Sequence, residues 1–294
     1  MPFPAPRSRA LLRLAASMAQ PFGRSAAVVV AHPDDETLGA TAALARFRRL
    51  TLVHVTDGAP RSLHDARRAG FETAASYAAA RRAELDAAMT LVGMPGHRRH
   101  ALGIPDQGAS GAIRRVARAL LPRLAGRDIV LTHAFEGGHP DHDAVSVAVH
   151  AAVALLRMAG HKAPVVLAMP LYRDDGNGAF LRGFPDRRPA ATAAVRLPAD
   201  LRDTKGLMIA AFRTQAATLA RFDPRIEVLR IAAPPDLGRA PNAGRVLYDR
   251  FGWGVTSVRF LGQARRARMS LGLAPLSGRP AGPRAGRVVW RPSP

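Results

Sequence analysis

Two short segments concentrate the side chains that could do chemistry: His32-Pro33-Asp34-Asp35-Glu36 and His139-Pro140-Asp141-His142. The chain has no cysteine, which excludes thiolate ligands, cysteine nucleophiles and disulfides together. Any metal must then be held by imidazole and carboxylate, a ligand set that suits zinc or ferrous iron. In the first segment Pro33 stiffens the turn after His32. Asp34 and Asp35 are adjacent, so in a loop they can point apart, one toward a cation and one toward a water beside it. Hydrolysis by activated water needs that division of labour. The competing reading is an acidic helix start, because Asp and Glu ahead of Thr37-Leu38-Gly39 favour the helix dipole.

The second segment weighs against a cap alone. Gly137 and Gly138 free the backbone, and His139 and His142 are spaced to share one side of a helical turn. Asp141, between them, is placed to orient a histidine. His32, one aspartate and one histidine make a three-ligand set with an open position, the pattern of catalytic zinc.

These segments need a scaffold that brings them together. Residues 25–32 (SAAVVVAH), 50–56, 128–135 and 165–171 read as strands. Residues 37–49, 77–92, 112–124, 143–158 and 205–221 read as helices, with apolar positions three and four apart. This alternation implies an α/β fold: a Rossmann-like, mostly parallel sheet with helices on both faces. His32 closes one strand and His139 follows another, so the metal site is expected at the carboxyl ends of the strands, where such sheets bind ligands. Three parts are expected: a basic leader over 1–24, frayed or amphipathic; a domain over 25–262; and a basic Gly/Pro/Arg-rich tail over 263–294. A secretory signal is disfavoured because Arg13 interrupts the apolar patch. No apolar run is long enough to span a bilayer.

The formal charge is +21, and only Lys162 and Lys205 are lysine. Such a surface suits anionic lipid or polymer. No helix-turn-helix, zinc-finger or RNA-recognition signature accompanies it, so no specific nucleic acid is expected. A cytoplasmic protein, peripheral to the membrane surface at most, fits these features. Among the other histidines, His54 reads as a core group and His150 as part of a helix. His133, near a strand end, is a candidate to line the pocket. Trp253 and Tyr248 read as packing groups rather than as a sugar platform.

AHPDDE followed by TLG, and later EGGHPDHDA, resemble the PIG-L/LmbE-type N-deacetylases. Thr56-Asp57-Gly58, Arg81-Arg82-Ala83-Glu84-Leu85, Leu102-Gly103-Ile104-Pro105-Asp106 and Arg213-Thr214-Gln215 resemble further elements of that family, over about residues 25–255. The resemblance implies a zinc-dependent hydrolase that removes an acetyl group from an N-acetylated sugar, such as an N-acetylglucosamine conjugate or glycolipid. It assigns His32, Asp35 and His142 as metal ligands, with Zn2+ expected and Fe2+ an alternative. Asp34 becomes the general base, and His139 stabilises the oxyanion or protonates the leaving nitrogen. Asp141 would orient His139, and Arg81 and Asp106 would lie near the sugar. The rival readings are another hydrolase on the same ligands, such as a phosphoesterase, and a non-catalytic sugar- or nucleic-acid-binding protein. A second metal cluster, usual for the phosphoesterase, is not evident in the sequence.

Overall fold

The computed structural model describes residues 5–17, 22–177, 180–184 and 191–274. The strands are β1 (Phe22–Val30), β2 (Phe47–Pro60), β3 (Arg99–Asp106), β4 (Ile129–His133), β5 (Val165–Met169), β6 (Arg173–Asp174), β7 (Phe180–Leu181), β8 (Thr192–Arg196) and β9 (Ile226–Ile231). The helices are α1 (Pro6–Ala16), α2 (Asp35–Arg46), α3 (His64–Arg68), α4 (Ala74–Leu91), α5 (Ala109–Leu124), α6 (Pro140–Met158), α7 (Ala199–Ala211), α8 (Ala216–Leu219), α9 (Tyr248–Phe251) and α10 (Ser257–Met269).

Seven strands form one sheet in the order β3-β2-β1-β4-β5-β9-β8. The five from β3 to β5 run parallel, and β9 and β8 extend the sheet antiparallel. The apolar run of β1 is buried on both sides, as a central parallel strand must be. Its residues still divide by the strand period. Ala27 and Val29 join the core under α5, α6 and α10. Ala26, Val28 and Val30 join the core under α1, α2, α4 and α7.

The α/β expectation therefore holds, with corrections at its margins. The leader is not simply frayed: α1 buries Leu11, Leu12 and Ala15 against β8 and β9. The expected boundary at 262 falls inside α10, which buries Ala264 and Arg268, so the folded part runs on. The tail from Gly278 lies outside the described residues. The single helix expected over 205–221 breaks at Phe212, and Arg213–Gln215 forms a 3-10 turn before α8. The stretch Leu102–Asp106, not among the expected strands, ends the edge strand β3. Among the described residues, no helix is long and apolar enough to cross a membrane.

Helix α2 is kinked at Ala40, whose φ of −139° and ψ of 17° are not helical. A kink frees backbone groups, and here a buried ion pair takes them up. Glu227 on β9 accepts the Thr41 and Ala42 N–H groups at 2.8 and 3.2 Å, while Lys205 on α7 donates to the Leu38 carbonyl at 2.8 Å. Lys205 and Glu227 are themselves 2.7 Å apart.

Candidate metal centre

Strand order reverses between β1 and β4: the chain runs outward from β1 to β2 and β3, then returns to β4 on the other side. A crevice opens at the carboxyl ends of the strands at such a point. His32 stands just beyond β1, and His139 is the N-cap of α6, just beyond β4. Residues more than a hundred positions apart therefore face each other.

His32 Nδ1 lies 3.3 Å from Asp35 Oδ2, and His142 Nε2 lies 3.3 Å from Asp35 Oδ1. The two ring nitrogens are 3.3 Å apart. Ligands at ~2.0–2.2 Å from a tetrahedral ion are separated by about 3.4 Å, so this spacing suits a cation among the three side chains. The group is buried. Burial opposes charge on Asp35, but His142 and His133 hold its carboxyl well below the usual range. Burial, then His133, holds His142 down to about 4, leaving its imidazole neutral and able to bind a cation.

His133 lies beneath this layer rather than on the cavity wall. Its Nε2 accepts the Ala31 N–H at 2.8 Å and sits 3.4 Å from Asp35, and its ring stacks on His142. A second constellation occupies the other edge of His32. His32, Asp106, His139 and Asp141 also place ligand-type atoms within 4.8 Å of one another, a cluster not evident from sequence. Its carboxylates have other work, however. Asp141 accepts the Gln107 and Ala109 N–H groups at 2.6 and 2.9 Å, and Asp106 accepts from His32 Nε2 at 3.1 Å.

That arrangement corrects the expected role of Asp141. Near the start of α6 its carboxylate reaches the beginning of α5 and lies 3.4 Å from His32 Nε2; it forms no hydrogen bond with His139. It is the Asp141 backbone N–H that meets His139, donating to Nδ1 at 3.2 Å. A neutral imidazole that accepts at Nδ1 carries its proton on Nε2. Burial and the neighbouring His32 keep His139 down to about 3, so it is a neutral donor. Its ring lies 4.8 Å from Trp253, which lines the cavity instead of merely packing.

Asp34 sits beside the three-atom cluster but faces elsewhere. Arg81 Nη2 donates to its Oδ2 at 3.2 Å. Burial pushes the Asp34 carboxyl up to about 7; Arg81 pulls the other way, and Asp35 and Glu36 add to the rise. Arg81, expected near the sugar, thus bears on Asp34 and also lines the cavity, as does Asp106. The cavity encloses about 900 Å3 and reaches out to Arg68, Arg213 and Phe222.

Sequence reasoning missed Tyr172, which lines the cavity with its ring 5.3 Å from His142. Its signal was position, shortly beyond the end of a parallel strand next to β4. Glu136 accepts the Leu171 and Tyr172 N–H groups at 2.8 and 3.1 Å and fixes this stretch. A Cβ at Gly138 would overlap the Tyr172 carbonyl oxygen. Gly138→Ala should therefore push His139 and the start of α6, with His142, out of place. The expected cost is about 1–3 kcal/mol, together with weaker metal binding. Thermal melts and metal titration check this; wild-type metal affinity would show that the contact is yielding.

A doubly wound α/β sheet with an imidazole-carboxylate centre at its switch point is the class of protein these features define. Residues 27–153 match the family described as PIG-L: GlcNAc-PI de-N-acetylase, and this stretch carries both metal-site segments. The chain's fold is similar to the crystal structure of the A40926 pseudoaglycone deacetylase Dbv21, at TM-score 0.51 and 20% identity over 71% of this chain and 98% of that one. It is also similar to a triple mutant (Orf2*T) of a deacetylase of the teicoplanin biosynthetic pathway, at TM-score 0.51 and 18% identity over 67% and 85% of the two chains. No curated protein matches the chain.

Proposed function

We propose that the protein is a metal-dependent N-deacetylase acting on an N-acetylated sugar conjugate, with His32, Asp35 and His142 as the metal ligands. The observation that carries this reading is the convergence of three donor side chains beside a second buried carboxylate, Asp34, that is not among them. The fold and family support the same class. Zinc is the expected ion and ferrous iron the alternative. A cation held there would polarise the acetyl oxygen and make a bound water more acidic.

The chain's own groups supply the rest. Asp34, held near neutrality, accepts a proton from the attacking water as oxygen bonds to the carbonyl carbon. His139 donates its Nε2–H to the oxygen on which negative charge develops. The C–N bond then breaks, the nitrogen takes the proton back from Asp34, and acetate and a free amine leave. Arg81 keeps the Asp34 carboxylate aimed at the water, and Arg81 and Asp106 border the place of the sugar.

One metal per chain is expected, and His32→Ala and His142→Ala should each abolish its binding. Metal analysis with acetate release from a panel of N-acetylated sugars tests the proposal. Full metal content in the double variant would place the site elsewhere. Two ions per chain with phosphate-ester turnover would favour the phosphoesterase, using the His32/Asp106/His139/Asp141 group.

A further inference from the structure

Asp34 has a backbone φ of 127° and ψ of −30°, a conformation that side-chain-bearing residues rarely adopt. Residues held in such regions cost of order 1–3 kcal/mol and persist only where their surroundings over-determine them. The peptide joining Pro33 to Asp34 is gripped at both ends. Arg81 Nη2 donates to the Pro33 carbonyl at 2.7 Å, and the Asp34 N–H donates to Glu36 Oε2 at 3.0 Å. Glu36 is itself fixed. His54 Nε2 lies 2.9 Å from the same oxygen, and Thr37 Oγ1 donates to Oε1 at 2.7 Å. Glu36 is fully buried, and His54 sits within β2, bonded through the centre of the sheet to its neighbours.

Neither Glu36 nor His54 lines the main cavity, and neither is needed to hold a cation. We infer that Glu36 and His54 are positioning residues for Asp34: together they hold the Pro33–Asp34 peptide in its strained orientation, which aims the Asp34 carboxylate into the cavity. Without the acceptor at Glu36, the peptide turns over to relieve the positive φ, and the carboxylate swings with it. Asp35 is unaffected in this scheme because it begins the regular turn of α2, with its own N–H donating to the His32 carbonyl at 3.3 Å. The strain thus separates two adjacent aspartates into different directions, and Glu36 with His54 maintains the separation.

The inference rests on the reading of Asp34 as proton acceptor, so its test includes a readout that does not. Glu36→Leu, Glu36→Gln and His54→Leu are compared with the wild type in the metal-loaded protein. Glu36→Leu should lose at least about thirty-fold in kcat, part of the hundred- to ten-thousand-fold a general base contributes. Its KM and metal content should stay within about twofold, since the ligands and the base act separately. Glu36→Gln keeps an oxygen for the Asp34 N–H and should recover most of the rate. His54→Leu should fall between, and it carries the test should Glu36→Leu fail to fold. A crystal structure of Glu36→Leu, or of His54→Leu in its place, should show the Pro33–Asp34 peptide rotated and a negative φ at Asp34. A positive φ retained in that structure, or wild-type kcat in a folded Glu36→Leu or His54→Leu protein, overturns the inference. If Asp34→Asn alone left turnover unchanged, the reading of Asp34 as base would fail, while the crystallographic result would still decide the clamp.

Discussion

Asparagine in place of Asp34 should lower kcat by about two to four orders of magnitude, the usual contribution of a general base, while the metal stays bound. The two effects separate because neighbouring aspartates face different partners. Asp35 lies 3.3 Å from both His32 Nδ1 and His142 Nε2, whereas Asp34 is bonded to Arg81. Asparagine keeps the shape of the carboxylate and an oxygen for Arg81, so substrate affinity should change little. What it cannot do is accept a proton from water near neutral pH. Asp35→Ala should instead strip the metal and everything that depends on it. Metal stoichiometry and acetate release, measured side by side, resolve the pair. Loss of metal in Asp34→Asn would exchange the roles of the two residues, and wild-type turnover would refute the mechanism.

The largest effect on stability is expected outside the cavity lining, at Lys205 and Glu227. Both are about 1% exposed, and they terminate the backbone groups that the kink in α2 leaves open. Lys205→Met removes the cation and strands a buried carboxylate. Breaking a buried pair from one side costs about 3–5 kcal/mol, which in a chain of this size lowers Tm by on the order of 10 °C. Glu227→Leu should cost at least as much, because the Thr41 and Ala42 N–H groups lose their acceptor with it. Thermal and urea melts check both variants. A Lys205→Met protein that melted with the wild type would show that the kink supports itself.

Much of the centre was legible because its signals are local. Apolar runs ending at His32 and shortly before His139 marked two strands, and parallel sheets put chemistry at that end of a strand. Adjacency alone says that Asp34 and Asp35 can point apart; which of them takes which role is implied by the family resemblance. What was not legible depended on partners distant in the chain. Asp141 looked like an orienter of His139, but its oxygens are taken by backbone N–H groups of the β3–α5 connection. His54 looked like a satisfied core group; it is one, and its partner Glu36 holds the Asp34 N–H. The antiparallel strands β8 and β9 escaped notice because short strands in mixed composition carry weak periodicity. Lys205 read as part of an ordinary helix, since nothing nearby announces a carboxylate from β9.

The adjacency of β1 and β4 also bears on how the chain folds. Thr132 on β4 donates to the Val29 carbonyl across 103 positions of sequence, and no local element supplies both halves of the centre. Contacts of such long range are entropically costly to form and slow to reward the chain. The full donor set is therefore assembled only once the central sheet has closed, and an ion bound there would select the finished protein over its precursors. Its stabilisation follows free ion concentration as RT ln(1 + [L]/Kd), acting on escape from the native state rather than on the approach to it. On this order of events the chain reaches its fold before an ion can help, and a bound ion would serve as a latch on a door already shut.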